Sequence, residues 1–173
     1  APSPLSAPAD VTVLRGQMAK FTVQAYGIPL RFQWRRNGTA ISAATKATYT
    51  ITSAQTSHVG SYDCVVSNSV GSFTSNAASL VVNVPAGIAA NPVSATVFYD
   101  QPVTLNVQAS GTLPMAYQWR KAGIDIVGAN ASSFTINAPD ANDAALYDCR
   151  VSNSFGAPVI SKAAKLTVLS PPL

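Results

Sequence analysis

At 173 residues, 47% hydrophobic and 10% charged, the chain can bury a core in one large or two small domains, which excludes a disordered tail. Its 11 Lys and Arg outnumber seven Asp (there is no Glu) to leave +4, scattered singly or in twos and too dilute for the basic stripe of a nucleic-acid binder. One His and two Cys cannot assemble a zinc site, and no apolar run approaches the ~20 residues that a membrane-spanning helix needs.

In chain order, Ala1-Pro2-Ser3-Pro4-Leu5-Ser6-Ala7-Pro8 has neither a basic start nor an apolar stretch, so it does not read as a signal peptide. Its prolines suggest an extended linker over residues 1–7, and Ser170-Pro171-Pro172-Leu173 reads likewise as a linker over 170–173. Both ends suggest a piece of a longer protein. Between them a period of two sets in. Ala19, Phe21, Val23 and Ala25 alternate with Lys20, Thr22 and Gln24; Phe32 and Trp34 alternate with Gln33 and Arg35. Tyr49 and Ile51 follow the same rule, as do Tyr62, Cys64 and Val66. Such alternation buries one strand face and wets the other, and its recurrence between Gly, Asn, Ser and Pro predicts short antiparallel strands. Asn37-Gly38 and the stretch from Asn68 to Gly71 supply residues that tolerate positive φ where the chain reverses. No stretch carries a 3.6-residue stripe. The fold class expected is all-β.

The pattern then repeats. Trp34 and Trp119 lie 85 residues apart, as do Tyr62 and Tyr147, and Cys64 and Cys149. Gln33-Trp34-Arg35 returns as Gln118-Trp119-Arg120, and Ser67-Asn68-Ser69-Val70-Gly71 as Ser152-Asn153-Ser154-Phe155-Gly156. Slips of one residue near Thr112-Leu113-Pro114 and near Leu166 are what surface loops tolerate. Two copies of one module are expected, over residues 8–84 and 85–169. The short joint from Asn83 to Gly87, stiffened by Pro85, suggests an end-to-end rod with a small interface.

A Trp on the third strand with Tyr-x-Cys about thirty residues later resembles the immunoglobulin fold. The pattern is similar to the I-set, and within it to repeats of bacterial secreted and surface proteins, which carry runs like Gln118-Trp119-Arg120-Lys121-Ala122-Gly123 and Val151-Ser152-Asn153-Ser154. The resemblance implies two tandem antiparallel β-sandwiches. It places Trp34, Tyr62, Cys64 and Val23 in one core and Trp119, Tyr147, Cys149 and Val107 in the other. The family's disulfide joins the second strand to the Cys-bearing strand, but here the second-strand positions are Val23 and Val107. Cys64 and Cys149 are therefore expected to lack partners, and to act as small buried hydrophobes or, alternatively, as reactive thiols.

Several candidate sites compete with structural readings. His58 stands four residues before Tyr62, where Asp143 precedes Tyr147, and reads as a turn residue or a metal ligand. Asn137, Asp140, Asn142 and Asp143 offer oxygens that could hold calcium or simply cap a turn; the first copy offers Thr52, Gln55, Ser57 and His58 there. Arg35 and Arg120, with Arg31, Arg36, Lys121 and Arg150, suggest an anion-binding face. Alternation and the family's strand order instead pair Arg35 with Asp63 and Arg120 with Asp148 across strands, at about 0.2–1 kcal/mol each. Tyr26, Phe73, Phe98 and Tyr99 are the aromatics left for sugar recognition. No nucleophile elbow, phosphate loop or His/Cys/Asp cluster is present, so no enzyme and no cofactor are expected.

The function expected is a non-catalytic spacer or adhesion segment of a larger bacterial extracellular or cell-surface protein, monomeric, with a protein or glycan surface as partner and no insertion into membranes. An accessory carbohydrate-binding module of a secreted enzyme is the alternative, followed by an intracellular titin-like array.

Overall fold

Each alternating run becomes a strand in a computed structural model that describes residues 1–170. The chain divides into Ala1–Asn83 and Val84–Leu173. The first unit contains β1 (Ser3–Ser6), β2 (Val11–Leu14), β3 (Ala19–Thr22), β4 (Gln24–Tyr26), β5 (Arg31–Arg36), β6 (Thr39–Ala40), β7 (Thr48–Ile51), β8 (Gly60–Asn68), β9 (Gly71–Thr74) and β10 (Ala78–Asn83). The second repeats the series as β11 (Gly87–Ala90), β12 (Ala95–Phe98), β13 (Val103–Asn106), β14 (Gln108–Ser110), β15 (Ala116–Lys121), β16 (Ile124–Asp125), β17 (Ser133–Ile136), β18 (Ala145–Ser152), β19 (Val159–Ile160) and β20 (Ala164–Leu169).

In the first unit one layer runs β2-β10-β8-β5-β6, with β9 also on β8; β1-β4 and β3-β7 make the facing layer. The second unit has the same order, β12-β20-β18-β15-β16 with β19 on β18, against β11-β14 and β13-β17. All pairs are antiparallel except β2 with β10 and β12 with β20. The chain is thus all-β, two sandwiches in tandem.

The inward residues explain the closure. Trp34, Tyr62, Cys64 and Val23 are buried in one core, and Trp119, Tyr147, Cys149 and Val107 in the other. Phe21 stacks on Tyr62 at 4.6 Å, and Tyr49 lies 5.9 Å from Tyr62 and 6.2 Å from Trp34. In the second core Leu105 occupies the place of Phe21, and the Phe134 ring lies 6.1 Å from Trp119 and 6.0 Å from Tyr147. Both indole N–H groups are satisfied: Trp34 Nε1 donates to Lys46 O and Trp119 Nε1 to Ala131 O, each at 2.9 Å.

Two expectations need correction. Residues 3–6 are not linker: β1 pairs with β4, Pro4 opposite Ala25, as β11 pairs with β14. Proline at an edge strand is compatible with pairing because the missing N–H can face away from the partner. Val84 and Ala86, expected within the joint, are hydrogen-bonded inside the second unit. Val84 N donates to Thr112 Oγ1 at 2.8 Å, while Asn153 Nδ2 donates to Val84 O and Asn153 Oδ1 accepts from Ala86 N. Asn37 and Gly38 do adopt positive φ, as Ala122 and Gly123 do in the second hairpin. The turn at Asn68 to Gly71 does not; Asn68 Oδ1 holds it by accepting from Val70 N and Gly71 N. Of the expected C-terminal linker 170–173, residues 171–173 lie outside the described residues.

Because each indole fills its core and satisfies its own N–H, Trp34→Ala or Trp119→Ala is expected to destabilise its own unit by about 3–5 kcal/mol. Guanidinium denaturation followed by far-UV circular dichroism, which reads the strands of both units, checks this; a melt with no transition moved to lower denaturant would show that the indole is not the core.

Candidate functional site

On the outer face of the larger layer, β5 lies against β8 with Arg35 opposite Asp63, and β15 against β18 with Arg120 opposite Asp148. Alternation turns Trp34 and Cys64 inward, so their neighbours meet outside. Arg35 Nε and Nη2 donate to the two carboxylate oxygens of Asp63 at 2.7 and 3.0 Å. Arg120 does the same to Asp148 at 2.6 and 2.9 Å. These forked hydrogen bonds hold both guanidinium groups above the usual arginine range. Arg35 and Arg120, the pair that first suggested an anion-binding face, are thereby neutralised by their cross-strand neighbours. Arg150, another of that set, reaches Asp125 at 2.9 Å.

Gln33 and Gln118 explain the rest of the repeated Gln-Trp-Arg word. Gln33 Nε2 donates to Trp34 O and Ile41 O, and Gln118 Nε2 to Trp119 O and Ile126 O. Sequence reasoning quoted the word without assigning its first residue a role; its recurrence beside both indoles was the available signal.

The turns before Tyr62 and Tyr147 are single 3-10 turns, Thr56–His58 and Ala141–Asp143. Tyr62 Oη donates to His58 O at 2.6 Å and Tyr147 Oη to Asp143 O at 3.0 Å. His58 Nδ1 accepts from Gln55 N, the capping role that Asp143 Oδ2 plays toward Asp140 N. In the calcium candidate, Asp140 Oδ1 accepts from Asn142 N and Asp143 Oδ1 accepts from Lys121 Nζ at 3.0 Å. Those oxygens serve as turn caps and as one end of an ion pair. Burial alone would raise the Asp143 carboxyl, but hydrogen bonds from Lys121 and from Asp140 N–H outweigh it and hold the group below the ordinary aspartate value. Lys121 also lies 5.9 Å over the Tyr147 ring.

Both thiols are free and buried. Burial pushes Cys64 up to about 11, and raises Cys149 as well. Among the sugar-recognition candidates, Tyr26 and Phe98 are exposed and Tyr99 is half-buried. Phe73 packs against the first core, which removes it from that list.

The model of the family described as immunoglobulin domain matches residues 2–68 and again 85–153. The chain belongs to the immunoglobulin-domain family. Hemicentin-1 of Homo sapiens is 30% identical over 183 aligned residues, covering 95% of this chain and 3% of that protein. The cell adhesion molecule DSCAML1 of Mus musculus is 28% identical over 133, covering 66% of this chain and 6% of its own. This chain therefore spans a small part of the curated relatives it matches. Among solved structures, the DIP-gamma IG1+IG2 pair superposes with a TM-score of 0.81 at 19% identity, over 96% of this chain and 97% of that one. At that identity the likeness is one of fold. The two sandwiches are a tandem immunoglobulin module.

Two outcomes follow for these immunoglobulin domains. A thiol raised from 9.0 to about 11 carries about a hundredfold less thiolate. At pH 8 a disulfide reagent such as DTNB should leave Cys64 and Cys149 unreacted in the native chain and titrate both in guanidinium; rapid native labelling would contradict their burial. The Asp143 carboxyl, depressed in the folded state, contributes stability that is present above its unfolded value near 3.8 and is lost as pH falls through the lower folded value. Asp143→Asn should therefore flatten the loss of second-domain stability between about pH 5 and pH 2, read from denaturation midpoints.

Proposed function

We propose that this pair of immunoglobulin domains is a non-catalytic adhesion and spacer segment of a longer extracellular or cell-surface protein, presenting a surface to a protein or glycan partner. The observation that carries the reading is the match to hemicentin-1 across 95% of this chain. The side chains with chemical potential fit it: the arginine–aspartate pairs, the turn carboxylates and the thiols are engaged in holding the sandwiches. No helix is long and apolar enough to cross a membrane among the described residues. A bacterial parent is supported by the runs Gln118 to Gly123 and Val151 to Ser154, whereas the relatives named above are animal proteins. The proposal accordingly rests on adhesion and does not need that host.

The test is multivalent display. Beads carrying the chain at high density should capture intact cells of the source organism several-fold better than beads carrying the Trp34→Ala/Trp119→Ala double variant. Equal capture by the two sets would remove the adhesion reading.

A further inference from the structure

The two domains part company at one pair of positions. In the second, Lys121 and Asp143 close an ion pair at 3.0 Å. In the first, the same positions hold Arg36 and His58, and no carboxylate lies within pairing distance of Arg36 among the described residues. The acids of that domain are committed elsewhere: Asp63 to Arg35, and Asp10 to the Ser79 N–H. Beside the uncompensated guanidinium lies an open cavity of about 430 Å³, lined by Arg36, Asn37, Thr39, Ile41, Tyr49 and His58.

Its polar groups are chiefly donors. Arg36 donates from Nη1 to Ser57 O at 2.8 Å and lies beside the Tyr62 hydroxyl, which also lines the cavity and donates to His58 O; no carboxylate engages the guanidinium fork. His58 Nδ1 accepts the Gln55 N–H at 3.0 Å, so the neutral ring carries its proton on Nε2 and donates from there. Asn37 Oδ1 accepts the Ser61 N–H at 2.9 Å, so the amide NH₂ is the remaining half of that side chain. Donors grouped around one unpaired cation suit an oxyanion, and the planar fork of Arg suits a carboxylate in particular.

We propose that this cavity binds the carboxylate of an acidic saccharide, with Arg36 as its bidentate anchor. The volume favours a sugar over a bare ion or the tip of an acidic side chain, because it falls within the range of small-molecule sites. A pyranose ring fills the remainder, its hydroxyls meeting Asn37 and Thr39 and its apolar face meeting Ile41 and the half-buried Tyr49. The second domain carries the same framework with its cation already neutralised by Asp143. This goes beyond the adhesion reading and does not depend on it, since a soluble acidic sugar can occupy the cavity whether or not the chain holds cells.

The experiment is an NMR titration of the full 173-residue chain, at constant ionic strength, with D-glucuronate, D-glucose and N-acetyl-aspartate N′-methylamide. Glucuronate should give saturable shifts at the Arg36 Nε–H, the Asn37 side-chain amide and the His58 ring. Glucose, which lacks the carboxylate, should bind at least about tenfold more weakly, the factor one charge-assisted hydrogen bond is worth; the aspartate analogue keeps the carboxylate but lacks the ring, and loses about tenfold with the ring's contacts to Ile41 and Tyr49. His58→Asp installs the residue that the second domain already accommodates; it should close on Arg36 and weaken glucuronate by a similar factor or more. Arg36→Gln should do the same without adding a carboxylate. Binding of glucose equal to glucuronate would overturn the anion site. Equal binding of the aspartate analogue would overturn the saccharide as its occupant. Shifts centred on Arg35 and Asp63, or undiminished binding by both variants, would overturn the location.

Discussion

Burying an indole without stranding its N–H is the constraint on which each sandwich depends. An unpaired buried donor costs about 1–3 kcal/mol, so the ring can sit at the centre only if a carbonyl is delivered to it. Lys46 and Ala131 supply those carbonyls, and both belong to segments with no regular strand of their own. The backbone of each Trp secures the same segment: Trp34 N donates to Ala44 O and Trp34 O accepts from Ile41 N, with Ala129 and Ile126 in the equivalent places around Trp119. Gln33 and Gln118 add one more bond to the Ile41 and Ile126 carbonyls. One strand residue thus organises the irregular stretch that covers it. That is why Gln-Trp returns intact in both copies.

The absence of a second cysteine shifts the load onto packing. Losing the bridge between the layers costs about 2–5 kcal/mol in small domains. Val23 and Val107 put apolar volume where a second sulfur would stand, in the same cores as Cys64 and Cys149. The two domains then offset the loss differently. The first adds Phe21, stacked at 4.6 Å on Tyr62. The second has Leu105 at that position and instead sets Lys121 over the Tyr147 ring and against Asp143. An aromatic stack is insensitive to acid, while an ion pair is not, so copies of one fold carry unlike dependences on pH.

What could be read from the chain was whatever depends on neighbours two residues away or on its own duplicate. Alternation around Trp34 and Cys64 told which side chains share a face, and the 85-residue echo set the number of sandwiches. The fold was therefore legible. Ser3 to Ser6 were not, because proline spacing is the same in a linker and in an edge strand, and pairing with Gln24–Tyr26 is a tertiary event. The pin of Asn153 on Val84 was hidden for the same reason, since it joins residues far apart in sequence. Of the surface chemistry, Arg35 and Asp63 follow from strand order, whereas Lys121 with Asp143 needs the exact placement of a 3-10 turn beside β15. Arg150 with Asp125 likewise needs the register of the short hairpin that brings β16 beside β15.

Duplication separates the residues that make the sandwich from those free to do something else. Where both copies keep a residue, a shared mechanical reason is visible: the indole, the corner tyrosine, the glutamine stitch, the forked arginine–aspartate pair. Where they differ without a loss of fold, selection for folding has been relaxed or overridden. The turn before the corner tyrosine is such a place. Its backbone duty, offering a carbonyl to the tyrosine hydroxyl and a cap to the turn, is met equally by His58 and Asp143. The choice between them consequently does little for the turn itself. It decides whether the cation opposite is cancelled, which adds to the stability of the second domain, or is left with a net charge beside a hollow, which the turn of the first domain does not require.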